Sequence, residues 1–190
     1  MHDPRGTAPP APALPPDDAR RTLSRARPDD AGTLPHLSLA GDTYTVLLTG
    51  ADTAGRFALI DMYVPPGGGP PLHRHDFEET FSVLEGEIAF TFRGATAVAR
   101  AGETVNVPAN APHAFRNASD RPARMLCVCA PAGQEQFFLA LGARVGSRTA
   151  PPPPLSEADQ ADLRARGAAL APQYRTEFLP TEHDPPRRPA

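Results

Sequence analysis

Proline is the residue that most restricts where this chain can fold, because it interrupts helices and is excluded from central strands. The 190-residue chain has 25 prolines. Sixteen of them lie in the first 35 residues, in the run Pro151–Pro154, and after Leu179. We therefore expect a folded core over residues 36–145, preceded by an arm over 1–35 and followed by a spacer, a helix and a tail over 146–190.

The middle of the chain is a series of short strand-like segments. Runs of apolar, β-branched and aromatic residues alternate with turns that contain glycine or proline. We predict strands over residues 44–49, 57–64, 80–84, 87–93, 96–100, 104–107, 113–116 and 124–130. Short strands at regular spacing, with no helix between them, are typical of an antiparallel sandwich or barrel. The expected fold class is therefore all-β.

The flanking segments are expected to be accessory to this fold. Residues 1–35 contain almost no periodic apolar residues, so the arm is expected to be disordered or draped over a partner. Residues 134–141 fit either an extra strand or a helical turn, and their periodicity does not separate the two. A helix is predicted over 157–170 with Ser156 as its N-cap, and its apolar face with Leu163 and Leu170 could dock on the barrel or on a second subunit.

Charge and cysteine content exclude several functional classes. The net charge is -3 and the pI about 6.1, so the chain lacks the basic field that binds nucleic acid or anionic membranes. It also lacks an apolar stretch of ~18 residues and an apolar segment near its start, so we expect a soluble, cytoplasmic protein. Cys127 and Cys129 share one face of a predicted strand. We expect them to be buried free thiols, and a metal-binding or redox pair is the less favoured alternative, because zinc sites usually place about two to four residues between thiolates.

A cluster of histidines in the β region carries the chemistry. His73 and His75 are two residues apart on an extended segment, so both imidazoles point to the same side. Glu79 is four residues after His75 and is expected on that side too. Glu78 has the opposite parity and is expected to point away. His113 opens a strand directly after a proline-bounded turn and is the candidate for a ligand from across the barrel. Imidazole and carboxylate ligands in this number suit a transition metal with open positions.

Two longer patterns contain these residues, and they resemble the two conserved motifs of the cupin family. The first is Gly67-x5-His73-x-His75-x3-Glu79-x6-Gly86, and the second is Gly102-x5-Pro108-x-Asn110-x2-His113-x3-Asn117. Asn110 departs from the usual glycine, but asparagine tolerates the left-handed conformation that a tight turn requires. The resemblance covers about residues 40–135. It implies a double-stranded β-helix, or jelly-roll barrel.

The resemblance also implies a site and its occupants. One divalent metal (Fe, Mn, Ni, Co, Cu or Zn) is expected on His73, His75, Glu79 and His113. A small-molecule substrate is expected in an apolar pocket above it. Strand parity with the ligands makes Phe81, Val83 and Phe115 candidate lining residues, and Met62, Phe92 and Met125 are further candidates whose face the sequence does not determine. We also expect a homodimer, which light scattering would contradict by returning a particle of 20.2 kDa.

Three functions remain open at this point. The first is an oxygen-using dioxygenase, because the single barrel with three histidines and a glutamate resembles bacterial quercetinase-type cupins; there Glu79 would be both ligand and catalytic base. The second is an isomerase or cyclase of a biosynthetic pathway that uses the metal as a Lewis acid. The third is a non-catalytic barrel that binds or senses a small ligand.

Overall fold

The computed structural model describes residues 13–29 and 33–180. Within these ranges, twelve strands form two antiparallel sheets that enclose a common apolar core. In chain order the strands are β1 (His36–Leu39), β2 (Asp42–Leu48), β3 (Ala58–Val64), β4 (His73–His75), β5 (Glu78–Glu85), β6 (Glu87–Phe92), β7 (Ala95–Arg100), β8 (Thr104–Val107), β9 (His113–Arg116), β10 (Ala123–Ala130), β11 (Ala143–Arg144) and β12 (Thr176–Phe178). The helices are α1 (Gly50–Thr53), α2 (Gln134–Leu141) and α3 (Glu157–Leu170), followed by a 3-10 turn (Ala171–Tyr174).

The larger sheet has the strand order β11-β1-β2-β3-β10-β5-β8, and the smaller sheet has the order β12-β4-β9-β6-β7. The eight predicted strands are all present, with ends that differ from the prediction by at most two residues. The predicted all-β barrel with a short C-terminal helix is therefore confirmed. The four strands that the sequence did not predict are short: β1, β4, β11 and β12.

Alternation along the strands determines which side chains fill the barrel. In β10 the buried residues are Ala123, Met125, Cys127 and Cys129, and the residues between them are partly exposed. Because successive side chains of a strand point to opposite faces, this pattern places both cysteines inside the barrel. Residue Phe81 of the neighbouring β5 is fully buried in the same core.

The segment over 134–141, which sequence reasoning left open between strand and helix, is the helix α2. Its aromatic residues turn toward the barrel, and the ring of Phe138 stacks on Tyr44 with 4.5 Å between the centroids. Phe137, Phe138 and Leu141 are buried. Helix α2 therefore covers part of the barrel with an aromatic surface.

Helix α3 has the predicted bounds. The hydroxyl of Ser156 accepts the N–H of Asp159 at 3.1 Å, as expected of an N-cap. Leu163 and Leu170 pack against the core of their own chain. Gly167 is buried at the contact with α2, where an added Cβ would lie 3.2 Å from Cδ2 of Leu141. The glycine thus lets α3 approach α2 closely.

The described part of the arm, residues 13–29, contains no helix or strand and lies against its own chain. Arg21 donates to the backbone oxygen of Asp52 at 3.0 Å, and Asp29 forms an ion pair with Arg148. The rest of the expected arm falls partly outside the described residues. No helix in the described ranges is long and apolar enough to cross a membrane.

Candidate metal centre

Three strands bring the four predicted ligands together. His73 and His75 lie on β4, Glu79 lies on β5, and His113 begins β9 directly opposite His73. All four are buried, and their ligand atoms lie within 4.8 Å of one another. Glu78 points away from this group and accepts hydrogen bonds from Nδ2 of Asn106 at 2.9 Å and from the N–H of Ala109 at 3.1 Å. The structure therefore places Glu79, and not Glu78, in the cluster.

The three imidazoles are held in one orientation by the backbone. Nδ1 of His73 lies 2.8 Å from the carbonyl oxygen of Pro71. Nδ1 of His75 and Nδ1 of His113 each lie 2.9 Å from a carbonyl oxygen, that of Phe77 and that of Ala111 respectively. A carbonyl only accepts, so each Nδ1 carries the proton and each Nε2 presents a lone pair to the cluster.

This arrangement fits a cation. Oε2 of Glu79 lies 3.0 Å from Nε2 of His75 and 3.2 Å from Nε2 of His113. Lone pairs of a carboxylate and of neutral imidazoles repel each other at such distances unless a proton or a metal lies between them. Ligand atoms about 2.1 Å from one cation and at right angles to each other lie about 3.0 Å apart. The donor set, the imidazole orientation and the spacing are thus those of a site that could hold a divalent metal.

Electrostatics at the cluster favour a neutral His73 and an ionised Glu79. Burial, together with the neighbouring His113, lowers the pKa of His73 to about 4. For Glu79, burial by itself would raise the pKa. Without a metal, hydrogen bonds from Nε2 of His113 and of His75, whose protons a bound cation would replace, outweigh burial and hold the pKa of that carboxyl well below its usual range. Both protonation states are those that a metal requires of its ligands.

The turn before His113 and the loop before His73 have the backbone geometry that their motif residues suggest. Asn110 has a φ of 67°, which is the left-handed conformation expected of it, and its N–H donates to the carbonyl oxygen of His75 at 2.6 Å. Gly69 has a φ of 133°, and a Cβ there would lie 2.0 Å from the carbonyl oxygen of Phe115. Only glycine fits at this position, where the loop leading to His73 crosses β9.

A cavity of about 150 Å³ reaches the cluster at His73 and Glu79. Most of its wall is apolar and comes from the barrel, from α2 and from the C-terminal segment. The lining residues are Leu39, Ala40, Tyr44, Met62, Pro70, Pro71, His73, Glu79, Phe115, Gln134, Phe137, Phe138, Leu141, Leu163, Arg164, Gly167, Thr176 and Phe178. An apolar pocket that ends on a few polar groups is typical of a small-molecule site.

Comparison with known proteins agrees with this geometry. Residues 60–129, which include the cluster, match the cupin-domain family. The chain carries a cupin domain over these residues. A solved structure of the polyketide cyclase RemF from Streptomyces resistomycificus has the same fold, with a TM-score of 0.51 and 23% identity, over 80% of this chain and 96% of RemF.

Two curated relatives share sequence with this cupin. Quercetin 2,3-dioxygenase from Bacillus subtilis is 33% identical over 78 residues, which are 40% of this chain and 23% of the dioxygenase. The polyketide synthase CurC from Streptomyces cyaneus is 33% identical over 100 residues, which are 51% of this chain and 64% of CurC. The chain thus spans less than two thirds of either relative.

The candidate pocket residues of this cupin lie in three different places. Met62 and Phe115 line the cavity at the cluster. Phe81, Val83 and Met125 lie in the closed core of the barrel. Phe92 lies in a second cavity of about 420 Å³ along β6, β7 and β8, where His113 is the only cluster residue in the wall that the structure describes.

Sequence reasoning missed the residues that close the cupin cavity. Gln134 and Phe137 come from α2, and Leu163, Thr176 and Phe178 come from the C-terminal segment. The signal available was weak: Thr176 and Phe178 alternate around the exposed Glu177, as in a strand with one buried face. The strand partner that makes this alternation meaningful, β4, is about a hundred residues away in sequence.

Cys127 and Cys129 are free and buried, as expected. Their position beside the metal cluster was not foreseen. Sγ of Cys127 lies 3.3 Å from Oε1 of Glu79, and Sγ of Cys129 lies 3.8 Å from the same oxygen. The carboxylate of Glu79 thus has imidazoles at one oxygen and thiols at the other.

Proposed function

We propose that this cupin is a metal-dependent enzyme that binds a flat, enolisable phenol or polyketone and catalyses its cyclisation or isomerisation without consuming oxygen. The observation that carries the proposal is the aromatic cavity, in whose described wall Glu79 is the only carboxylate and His73 the only imidazole. Such a cavity favours a conjugated substrate that presents one oxygen to the cluster.

The wall of the cavity supports an aromatic or polyketone substrate. Phe115 comes from β9, Phe137 and Phe138 come from α2, and Phe178 comes from β12, so aromatic rings face the cavity from several elements. Aromatic side chains bind a planar ligand by burying a large area at a small cost in conformational entropy. A flexible polyketone that binds there is held folded and away from water, which brings its reacting carbons together.

Apart from the cluster, the cavity wall contains four side chains with polar groups, those of Tyr44, Gln134, Arg164 and Thr176. The hydroxyl of Thr176 donates to Oε1 of Gln134 at 3.3 Å, and both residues are buried. This contact leaves the amide N–H groups of Gln134 as donors for a second substrate oxygen. A substrate with oxygens at two separated positions therefore suits the cavity.

Glu79 is the proposed base. Its carboxylate is ionised at neutral pH, because its pKa is held below the usual range. It can accept a proton from an enol hydroxyl, or from a carbon next to a carbonyl, and return it to another carbon. A divalent metal bound by His73, His75, His113 and Glu79 would supply Lewis acidity to a substrate oxygen. Because the pKa of His73 is about 4, its imidazole is neutral at pH 7 and is free to bind the metal.

The extent of the shared sequence supports cyclisation or isomerisation over oxygen-dependent cleavage. The stretch shared with the polyketide synthase CurC covers 51% of this chain and 64% of CurC. The stretch shared with quercetin 2,3-dioxygenase covers 23% of the dioxygenase. The latter similarity nonetheless favours a second candidate, an oxygen-dependent dioxygenase of quercetinase type, in which Glu79 would remove the proton of a flavonol hydroxyl.

Anaerobic turnover separates the candidates. Metal-free protein is loaded with Fe, Mn, Ni, Co, Cu or Zn and incubated without oxygen with a panel of aryl polyketones and flavonols. The proposal expects a product with the substrate's mass, or that mass less one water. Oxygen uptake with loss of anaerobic turnover would instead establish the dioxygenase. Tight binding of a panel member with no conversion under either atmosphere would overturn both and favour a binding protein.

A further inference from the structure

A second group of metal-binding side chains lies beside the first. It consists of Oε1 of Glu79 and the Sγ atoms of Cys127 and Cys129, all buried and within 4.8 Å of one another. The two sulfurs lie 3.6 Å apart, and they lie 3.3 and 3.8 Å from the carboxylate oxygen. The proposed function gives the two thiols no role.

These three distances match the edges of a tetrahedral site. A cation with metal–sulfur bonds of about 2.3 Å and a metal–oxygen bond of about 2.0 Å places its sulfurs about 3.8 Å apart and each sulfur about 3.5 Å from the oxygen. We propose that Cys127, Cys129 and Glu79 form a second site, for a thiophilic divalent cation such as Zn(II), next to the three-histidine site. Three protein ligands leave one position for water or an external ligand.

The strand register explains how so short a cysteine spacing can serve a metal. Cys129 lies directly opposite Glu79 in the pairing of β10 with β5, and Cys127 lies opposite Phe81. Because residues two apart on a strand share a face, both thiols point inward toward the same carboxylate. The third ligand comes from the neighbouring strand, so the site does not need the longer spacing that two cysteines require on a single loop.

The two sites would share Glu79. Its Oε2 faces Nε2 of His75 and of His113, while its Oε1 faces the thiols. A carboxylate can bridge two cations through its two oxygens. Two thiolates and one carboxylate would be strongly destabilised in this buried position without a cation. Burial accordingly raises the pKa of the Cys127 thiol well above its usual range when no metal is bound.

Cadmium is a suitable probe, since its bonds to thiolate give a charge-transfer absorption that imidazole and carboxylate ligands do not. The full chain, freed of metal and reduced, is titrated with Cd(II) while absorption and heat are recorded. We expect the thiolate band and two equivalents of bound Cd(II). C127A/C129A should lose the band and bind one equivalent, whereas H73A/H113A should keep the band.

The two double variants are controls for each other, and circular dichroism checks that both are folded. The single variant C129S provides a milder test, because serine keeps the size of the side chain but removes a soft ligand. Its affinity for Cd(II) at the thiol site should fall by roughly tenfold or more. The proposal is overturned if the parent protein shows no thiolate band at saturating Cd(II). It is also overturned if H73A/H113A, which keeps both cysteines, lacks that band.

Discussion

Phe178 lies directly opposite His73 in the pairing of β12 with β4, with 6.3 Å between the two ring centroids. The last described strand of the chain is thus built onto the strand that carries two of the four candidate ligands. Thr176 lies opposite His75 in the same pairing. The C-terminal segment is therefore a wall of the site and not an appendage of the barrel.

The position of α3 can be tested at Gly167. Replacing it with leucine should lower the free energy of unfolding by about 1–3 kcal/mol, because its Cβ would lie only 3.2 Å from Cδ2 of Leu141 and would push α3 away from α2. It should also lower kcat/KM, since α3 and β12 together close the cavity. Urea unfolding measures the first effect. The control is Ala168→Leu on the exposed face of the helix, and equal unfolding curves for the two variants would contradict the close contact between α3 and α2.

Metal binding should stabilise the fold. A ligand at 100 times its Kd adds about 2.7 kcal/mol to the free energy of unfolding, which for a chain of this size raises Tm by roughly 5 to 10 °C. Thermal unfolding before and after chelation, and again after reloading with metal, measures this shift. His113→Ala should abolish the shift. Equal Tm values for the chelated and the reloaded parent protein would argue against a metal at the cluster.

Adjacent glutamates provide a matched pair for the role of Glu79. E79Q should lose metal affinity and lower turnover by roughly a hundredfold to ten-thousandfold, since it removes a ligand and the proposed base together. E78Q should retain metal and turnover, because the carboxylate of Glu78 points to the other face of the strand, where it accepts hydrogen bonds from Asn106 and from the backbone of Ala109. Metal content by mass spectrometry and steady-state rates are the measurements. A loss of metal in E78Q would mean that the carboxylates are assigned to the wrong faces.

Asp42 should make the stability of the protein depend on pH. Its side chain is fully buried, and burial raises its pKa to about 8, although hydrogen bonds from Tyr44 and Gly69 lower it in part. Between pH 4 and pH 8 the folded state therefore holds a proton that the unfolded state has released. The contribution of Asp42 to the free energy of unfolding is therefore complete below pH 4. It decreases as pH rises, by up to about 1.4 kcal/mol per pH unit.

Asp42→Asn isolates this contribution, because the amide has the same shape and does not titrate. Denaturant unfolding from pH 4 to pH 8 should show a growing advantage of the variant over the parent protein. Asp52→Asn is the control: Asp52 is exposed, and its hydrogen bonds with Thr49 lower its pKa, so this variant should parallel the parent over the same range. Parallel curves for Asp42→Asn would show that Asp42 is ionised in the folded state.

Local patterns in the sequence sufficed for much of the barrel and for the candidate ligands. The alternation of apolar residues predicted eight strands to within two residues, and the capping residue Ser156 predicted the start of α3. Parity along the chain placed His73, His75 and Glu79 on one side. These features depend on residues close together in sequence, where strand and helix geometry alone decide which side chains share a face.

The closure of the site and the surroundings of Glu79 were decided only by tertiary structure. Sequence parity placed Cys127 and Cys129 on one face, but the register of β10 against β5 brought that face to Oε1 of Glu79. In the same way, Phe178 reached His73 through a pairing between segments about a hundred residues apart. Such contacts depend on how the whole barrel closes, because the partner of an edge strand is chosen by packing and hydrogen bonding and not by its own sequence pattern.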